Sequence, residues 1–282
     1  MSLSLAAALN QAKTAGVDRL DAQLMLAHLL EKNRSWVIAH ADDEVPAQLT
    51  APWAVLLTRR AAGEPLAYLV GEKEFHGLSL QVTQDVLVPR PDTETLVDWA
   101  LERLAPLAPD ARVLDLGTGS GAIALAVKHA IPQSEVWAVD ASAAALAVAQ
   151  ANAVRLGLPI QFRQGHWWQA VETQAFDLAV SNPPYIAEGD PHLNALIHEP
   201  LQALSSGPEG MDDLRDIIQH APHHLTPGAW LLLEHGYNQA EQVQNCLTAR
   251  GFTEVQTRTD AAGVPRCTAG RWPKRDIFDN SD

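Results

Sequence analysis

The stretch Val113-Leu114-Asp115-Leu116-Gly117-Thr118-Gly119-Ser120-Gly121 decides the fold of this chain. Its apolar first half predicts a buried strand, and its second half predicts a glycine turn that leads into a helix. Glycine adopts backbone angles that other residues avoid, and it lets a ligand approach the main chain closely. The G-x-G-x-G spacing differs from the G-x-G-x-x-G dinucleotide fingerprint and is more typical of folds that bind S-adenosylmethionine. We therefore interpret the turn as a cofactor-binding loop, the alternative being a purely structural turn. The predicted cofactor-binding residues are Gly117, Thr118, Gly119, Ser120 and Gly121.

Predicted strands and helices alternate from Ala111 onward. The strands are expected near 112–116, 135–139, 160–164, 176–181, 229–234, 252–259 and 266–272. The helices are expected near 120–130, 142–156, 211–224 and 238–249. Such alternation predicts an α/β fold with a mostly parallel sheet and helices on both faces. With the glycine turn, it indicates the Rossmann-like sheet of an S-adenosylmethionine-dependent methyltransferase.

Two residues beyond the glycine turn extend the predicted cofactor site. Asp140 ends the second strand about twenty residues after the turn, where a carboxylate can accept hydrogen bonds from both ribose hydroxyls of a nucleoside. The alternative is that Asp140 or Ser142 caps the next helix. Trp167 follows the third strand, and its ring could pack against an adenine or belong to the core.

Asn182-Pro183-Pro184-Tyr185 follows the apolar stretch 176–181, for which the pattern predicts a buried strand. An amide nitrogen is a poor nucleophile, so a site must align it with the methyl donor and accept hydrogen bonds from its two protons. The Asn182 side-chain oxygen and the Pro183 carbonyl can accept them, the prolines stiffen the loop, and Tyr185 can pack on the planar group. We interpret all four residues, Pro184 included, as catalytic and substrate-binding, the alternative being an ordinary turn. Together with the glycine loop they indicate methyl transfer to a planar nitrogen.

The first ninety or so residues have a different character. Leucines recur near the helical period in residues 1–72, which predicts a small helical domain with Asp18 as an N-cap and a helix near 52–62 ended by Gly63. Residues 73–90 are expected to form a β-hairpin linker, in which 75–82 pairs with 86–88 around a polar turn. The catalytic domain is expected over 91–276, and the acidic tail 276–282 is expected to fray.

Composition narrows the function classes. The formal net charge of −14 opposes binding to a phosphate backbone, so we expect no direct contact with nucleic acid. No apolar segment approaches the about 18–20 residues of a membrane span, and the N-terminus does not resemble a signal peptide. Cys246 and Cys267 lack metal-ligand spacing and are expected to be reduced thiols of a cytoplasmic protein. His220, His223 and His224 match no zinc signature, so we expect exposed histidines at a helix end and no metal.

Across nearly its whole length the chain resembles the release-factor glutamine methyltransferases, the HemK family. The resemblance is carried by stretches that include Pro89-Arg90-Pro91-Asp92-Thr93-Glu94, Asp115 to Gly121, Ser181 to Ile186, and Glu199-Pro200-Leu201-Gln202-Ala203-Leu204. It implies N5 methylation of the glutamine in the Gly-Gly-Gln motif of class-1 peptide-chain release factors. It also implies S-adenosylmethionine as methyl donor, S-adenosylhomocysteine as product, and a helical N-terminal domain that helps to grip the release factor.

The resemblance also assigns roles to residues. Gly117 to Gly121, Asp140, Trp167 and Asn182 would contact S-adenosylmethionine, and Asn182 to Tyr185 would hold the glutamine. Arg90 and Glu94 would lie near the substrate; alternatively, they stabilise a loop and the first turn of a helix. We expect a cytoplasmic monomer that binds no membrane.

The chain departs from the family pattern at two places. The family usually has Gly-Asp where this chain has Gly165-His166, so a contact on the adenine side is expected to differ. The chain also has Glu234-His235-Gly236 where an isoleucine-glycine pair commonly follows the glutamate. We expect this second difference to be harmless.

Three other functions stay open on the sequence. The first is methylation of an exocyclic nucleobase amine, which the acidic balance opposes. The second is glutamine methylation on a ribosomal protein by a related family with the same catalytic half. The third is a non-catalytic cofactor-binding or interaction module, which the intact Asn182 to Tyr185 motif opposes.

Overall fold

A computed structural model describes residues 3–274, which fall into two compact units divided between Glu72 and Lys73. The N-terminal unit contains the helices α1 (Leu5–Thr14), α2 (Arg19–Leu30), α3 (Arg34–Ala39), α4 (Thr50–Ala61) and α5 (Leu66–Val70). Its core is built around buried Met25, Leu26 and Trp53. As predicted, Asp18 caps α2, because its carboxylate accepts a hydrogen bond from the Leu20 N–H at 2.7 Å.

The predicted hairpin has a different register. Strand β1 (Glu72–Phe75) pairs with β2 (Leu78–Gln81) in a separate two-stranded sheet. The turn lies at His76 and Gly77, which have φ angles of 48° and 77°. Two consecutive left-handed residues form a tight two-residue turn, so the hairpin closes before the predicted polar turn. Residues 86–88 therefore form no strand, and the Val88 N–H donates to the Glu199 carboxylate at 3.1 Å instead.

The large sheet confirms the predicted α/β fold. Its seven strands lie in the order β5-β4-β3-β6-β7-β9-β8, parallel except for β9, which is antiparallel to both of its neighbours. All seven predicted strands are present: β3 (Arg112–Leu116), β4 (Glu135–Asp140), β5 (Gln161–Gln164), β6 (Phe176–Ser181), β7 (Leu225–Glu234), β8 (Thr253–Thr259) and β9 (Pro265–Arg271). The strand order reverses at β3, and the crevice beyond the carboxyl ends of the strands at such a point is where ligands bind in open α/β sheets.

Helices cover both faces of this sheet, as the sequence predicts. The helices are α6 (Glu94–Leu104), α7 (Ala122–Ala130), α8 (Ala143–Leu156), α9 (Asp212–His220) and α10 (Ala240–Arg250). Side chains of the strands alternate between two cores: Val113 packs with residues of α6, α7 and α8, whereas Leu114 packs with residues of α9 and α10. This period of two is the pattern on which the strand predictions rested.

Short 3-10 turns complete the described chain at Ala47–Leu49, Pro91–Thr93, Trp167–Val171, Pro191–Ala195, Leu201–Ala203 and Ala221–His223. Within residues 3–274, no helix has the length and apolar character needed to cross a bilayer. The acidic tail, for which we predicted fraying, lies outside the described residues.

Candidate active site

A cavity of about 390 Å³ opens at the carboxyl ends of β3, β4 and β6, all within the C-terminal unit. The predicted site residues that line it are Arg90, Gly117, Thr118, Gly119, Ser120, Asp140, Trp167, Asn182 and Pro184. Four predicted residues are not part of its wall: Glu94, Gly121, Pro183 and Tyr185. The fold thus brings both predicted halves of the site to one cavity.

The glycine turn connects β3 to α7 and needs its glycines for different reasons. Gly117, Gly119 and Gly121 have φ angles of 73°, 55° and 84°, in the left-handed region that favours glycine. A Cβ at Gly117 would lie 3.0 Å from the Trp167 ring, and one at Gly121 would lie 3.0 Å from Leu125. A Cβ at Gly119 would meet no described atom within 4 Å. Gly121 therefore serves helix packing, whereas Gly119 leaves open space beside the loop.

Asp140 ties the glycine turn to the end of β4. Its Oδ2 accepts a hydrogen bond from the Gly119 N–H at 2.9 Å, and its Oδ1 accepts one from the Ser142 N–H at 2.9 Å. The helix cap considered for this region belongs to Ser142, whose hydroxyl accepts the Ala145 N–H at the start of α8. Burial raises the pKa of Asp140, and the two backbone hydrogen bonds oppose that rise. Each carboxylate oxygen keeps a lone pair for a ligand.

Asp115 supports the same turn from the protein interior. It is fully buried, and its Oδ2 accepts hydrogen bonds from the Thr118 hydroxyl at 2.6 Å and from the Ala124 N–H at 3.1 Å. Its Oδ1 is buried without a hydrogen-bond partner among the described residues. Burial raises the pKa of Asp115 to about 7. The Asp115 carboxyl group thus anchors the loop to the first turn of α7.

Trp167 forms the part of the cavity wall beside Gly117 of the glycine turn. Its indole N–H donates to Asp213 at 3.1 Å, which holds the ring against Gly117. Its φ of 46° places it in the left-handed region, a strained conformation for a tryptophan. His166, which stands where the family usually has aspartate, also lines the cavity, so that position offers an imidazole instead of a carboxylate.

Asn182 follows β6 and faces the same cavity. Its Nδ2 donates to the Thr93 hydroxyl oxygen at 3.2 Å, and its Oδ1 has no hydrogen-bond partner within residues 3–274. The adjacent Ser181 hydroxyl donates to the Leu116 carbonyl at 2.7 Å, which joins the ends of β6 and β3. The amide of Asn182 is therefore held by its nitrogen and has its oxygen available.

Tyr185, whose ring we predicted to pack on the substrate, is not part of the cavity wall. Its hydroxyl donates to Glu234 Oε1 at 3.3 Å, and its carbonyl accepts a hydrogen bond from the Gln239 side chain at 3.0 Å. Burial, the largest cause, raises the pKa of Tyr185, and the nearby Glu234 raises it further. These contacts draw the side chain toward the end of β7, so Tyr185 fixes the loop.

Arg90 and Glu94 have separate partners. The Arg90 guanidinium forms an ion pair with Glu199, whose side chain is 2% exposed, and Arg90 lines the cavity. Glu94 lies in the first turn of α6 and accepts the His76 N–H at 3.1 Å, away from the cavity wall. This contact fits the alternative role considered for Glu94, an acidic residue in an early helical turn.

The histidines expected at a helix end are not equivalent. His220 and His223 are exposed, but the expectation of exposure is wrong for His224, which is 8% exposed and stacks on Trp168 at 5.0 Å between ring centroids. Burial lowers the pKa of His224. No cluster of His, Cys, Asp and Glu in the described part of the chain could hold a metal ion. Cys246 and Cys267 are both free thiols, as predicted.

Comparison with known proteins identifies the family. The PrmC N-terminal domain model matches residues 4–71, and the Methyltransferase small domain model matches residues 96–211. A Xylella fastidiosa protein named release factor glutamine methyltransferase is 46% identical over 269 residues, covering 94% of this chain and 98% of that protein. A Bordetella pertussis protein of the same name is 48% identical over 258 residues, covering 90% and 95%. The chain belongs to the release factor glutamine methyltransferase family.

Solved structures support the methyltransferase fold. The catalytic domain of hMettl16 is 16% identical with a TM-score of 0.59, and the match covers 79% of this chain and 83% of that chain. A methyltransferase from Pyrococcus furiosus is 17% identical with a TM-score of 0.54, covering 79% and 99%. Identities this low show the fold and nothing more. The family resemblance and fold class expected from the sequence are both confirmed.

Sequence reasoning missed four polar residues that organise the site of this methyltransferase. Asp115, Thr93, Glu199 and Glu234 are each 8% exposed or less, and each bonds to a loop that lines the cavity. One signal was available, because Asp115 and Glu234 are carboxylates within otherwise apolar strands. Thr93 and Glu199 stand in stretches that carry the family resemblance, but their hydrogen-bond partners lie far away in sequence, so no local pattern indicated these contacts.

Proposed function

We propose that this chain transfers the methyl group of S-adenosylmethionine to the side-chain amide nitrogen of the glutamine in the Gly-Gly-Gln motif of a class-1 peptide-chain release factor. S-adenosylhomocysteine is the second product. The observation that carries the proposal is the anchored Asn182 amide, whose nitrogen is bonded to Thr93 and whose oxygen has no partner among the described residues. Such an oxygen is an acceptor for a substrate N–H.

The residues of the cavity fit the proposed methyl donor. Its volume of about 390 Å³ lies within the range of about 300–1,000 Å³ typical of small-molecule sites. The glycine turn presents bare main chain, Asp140 offers acceptors for ribose hydroxyls, and Trp167 offers an aromatic face. When bound, S-adenosylmethionine supplies an electrophilic methyl group on a sulfonium. The chain's own part is to hold this donor at the ends of β3 and β4.

The Asn182 loop then positions the nucleophile. The Asn182 Oδ1 accepts one N–H of the glutamine amide. Pro183 is not part of the cavity wall but directly follows Asn182, and we assign its carbonyl to accept the other N–H of a glutamine that enters beside the cavity; neither oxygen has a hydrogen-bond partner among the described residues. Two acceptors orient the planar nitrogen toward the methyl group and stabilise the positive charge that develops there. No strong base is needed, because the methylated nitrogen loses its proton readily. Tyr185 and Pro184 keep the loop in place.

Charge and domain content support a protein substrate. A net charge of −14 opposes a nucleic-acid target, and the relatives from Xylella fastidiosa and Bordetella pertussis carry the name release factor glutamine methyltransferase. We assign residues 1–72 to grip the release factor, 73–90 to link the domains, and 91–276 to catalyse the reaction. Because the substrate is a translation factor, we place the reaction in the cytoplasm, with the enzyme acting as a monomer.

The test is a comparison of substrates with labelled methyl donor. Purified enzyme is incubated with a release factor, with ribosomal proteins or with deproteinised nucleic acid, and incorporation is measured for each. We expect label on the release factor at a rate at least about a hundredfold above the other two, as a difference of several kcal/mol in transition-state binding would give. Preferential labelling of either rival would replace the proposed substrate and leave the methyltransferase assignment standing.

A further inference from the structure

A single buried amide joins three loops at the end of the Asn182–Tyr185 motif. Gln239, which is 6% exposed, immediately precedes α10. Its Nε2 donates to the Tyr185 carbonyl at 3.0 Å and to the Gly210 carbonyl at 3.1 Å. Its Oε1 accepts the Gly236 N–H at 2.7 Å. The motif after β6, the segment that leads into α9 and the loop after β7 therefore meet at one side chain.

These contacts fix the orientation of the Gln239 amide. An amide nitrogen carries two N–H groups, and each finds a carbonyl acceptor here, while the amide oxygen finds a main-chain donor. The reverse orientation would set the nitrogen against the Gly236 N–H and the oxygen against two carbonyls. Gln239 also occupies the N-cap position of α10, but within residues 3–274 its side chain makes no cap hydrogen bond to that helix. The side chain thus holds the loops and leaves the helix uncapped.

Glycines let these loops approach one another closely. A Cβ at Gly210 would lie 2.2 Å from the Tyr185 carbonyl oxygen, far inside van der Waals contact. A Cβ at Gly236 would lie 2.9 Å from the Gln239 side-chain oxygen. The two glycines therefore permit the short distances that the Gln239 amide bridges.

The Tyr185 main chain is the point at which the motif is anchored after its prolines. The two prolines have no N–H, so they cannot tie the motif to a neighbouring segment through a backbone donor. Before them, the Ser181 hydroxyl donates to the end of β3 at 2.7 Å. After them, the Tyr185 N–H donates to the Leu204 carbonyl at 3.2 Å, and the Tyr185 carbonyl accepts the Gln239 side chain. Gln239 thus supports the far end of the segment that carries the proposed acceptor oxygens.

We infer that Gln239 is a positioning residue for methyl transfer, which acts through the Tyr185 main chain to hold the two acceptor oxygens of the motif in place. The inference rests on the proposed function and adds a role that the family resemblance did not assign. Gln239 is not part of the cavity wall, so its effect on turnover is indirect. A displacement of about 1 Å at a reacting group lowers the rate by up to about 100-fold.

A pair of glutamine variants on one helix separates positioning from stability. Gln239→Met keeps an unbranched side chain of the same length and removes all three hydrogen bonds. We expect kcat to fall about 10- to 100-fold, with the KM for the release factor and the affinity for S-adenosylmethionine changed less than threefold. The matched control is Gln244→Met, which removes an amide that donates to the Thr257 hydroxyl at 2.7 Å and should keep kcat. Unchanged kcat in Gln239→Met, a loss confined to KM, or equal losses of kcat in both variants would overturn the inference.

A pair of glycine variants displaces the Tyr185 carbonyl without changing Gln239. Gly210 and Gly189 have φ angles of 71° and 78°, so alanine at either position carries the same kind of backbone strain. A Cβ at Gly189 would meet no described atom within 4 Å, whereas one at Gly210 would collide with the carbonyl. Gly210→Ala should lower kcat about 10- to 100-fold, and Gly189→Ala should keep it. Equal kcat in the two variants would contradict the inference.

Hydrogen exchange tests the role of Gln239 without turnover. Tyr185 and Ile186 provide the first amides after the two prolines, and both donate to the Leu204 carbonyl. In Gln239→Met these amides should exchange at least about tenfold faster than in the unchanged protein, and in Gln244→Met they should exchange at the unchanged rate. NMR measures both rates.

This measurement also distinguishes the inference from the proposed function. If exchange becomes faster in Gln239→Met but the unchanged enzyme methylates no glutamine, the proposed substrate is wrong and the support of the motif by Gln239 stands. If exchange stays the same in Gln239→Met while the unchanged enzyme methylates glutamine, the positioning role of Gln239 is refuted.

Discussion

The Asp140 carboxylate accepts the Gly119 N–H at 2.9 Å, which joins the end of β4 to the turn after β3. One side chain thus holds the glycine loop and lines the cavity beside it. We predict that Asp140→Ala lowers the affinity for S-adenosylmethionine about 10- to 100-fold, since hydrogen bonds to a charged group contribute about 1.5–3 kcal/mol. Calorimetric titration measures the effect. Asp18→Ala, which removes a carboxylate that caps α2 in the N-terminal unit, is the control and should leave that affinity unchanged.

Substitution of Asn182 should separate chemistry from cofactor binding. We predict that Asn182→Ala lowers kcat by about 10²–10³, the usual effect of removing a hydrogen-bonding group that stabilises developing charge. The affinity for S-adenosylmethionine should stay within about threefold, a change of about 0.7 kcal/mol. Single-turnover kinetics and calorimetry give the two quantities. Undiminished turnover in this variant would refute the role assigned to the Asn182 oxygen.

Gly117 and Gly119 offer a matched pair, because both have φ in the left-handed region but only Gly117 faces Trp167. Alanine at either position costs about 1–2 kcal/mol of backbone strain. Gly117→Ala should lower the free energy of unfolding by about 1–3 kcal/mol more than Gly119→Ala does, because its Cβ would lie 3.0 Å from the Trp167 ring. Gly119→Ala should instead lower cofactor affinity at least about tenfold, or about 1.4 kcal/mol. Urea unfolding and calorimetry distinguish the two. Equal losses of stability would contradict the close approach of Trp167.

The ion pair of Arg90 with Glu199 should be far more important than a surface pair. Glu199 is 2% exposed at its side chain and also accepts the Val88 N–H at 3.1 Å, so it joins two segments of the cavity wall. We predict that Glu199→Ala lowers the free energy of unfolding by about 3 kcal/mol, as breaking a buried pair does. Glu102→Ala breaks the exposed pair with Arg258 and should cost about 0–1 kcal/mol. Chemical denaturation of both variants checks the contrast.

Asp115 should make folding stability depend on pH. Burial raises the pKa of its native form to about 7, above the unfolded value of about 3.9. The native state therefore binds more protons in this window, and its contribution to stability is present at low pH and is lost as the pH rises toward about 7. The loss is about 1.4 kcal/mol per pH unit. Asp115→Asn should remove this pH dependence. Between pH 5 and pH 7, the free energy of unfolding of the variant should therefore rise by about 2–3 kcal/mol relative to that of the unchanged protein. A constant difference across that range would contradict the prediction.

The sheet could be predicted from sequence because its strands carry a local signal. Val113 and Leu114 face opposite cores, and the same alternation recurs in β4, β6 and β7. The hairpin register could not be predicted in the same way, because it depends on His76 adopting a φ of 48°. A non-glycine residue in the left-handed region leaves no clear trace in sequence.

The residues of the site likewise differ in whether the sequence predicts them. The glycine turn, Asp140 and Asn182 were predictable, because each follows a strand whose carboxyl end meets the same edge of the sheet. The bond from Asn182 to Thr93 spans 89 residues, and the bond from Arg90 to Glu199 spans 109. Only the folded chain places such partners together. The same holds for Tyr185, whose direction is set by Glu234 at the end of β7.

The measurement that tests the central claim most directly is tandem mass spectrometry of a release factor after incubation with this enzyme and S-adenosylmethionine. The account predicts one added methyl group, located by fragmentation on the side chain of the Gly-Gly-Gln glutamine. A release factor with that glutamine changed to glutamate should gain none. Methylation at another residue, or methylation that persists in the changed release factor, would contradict the account.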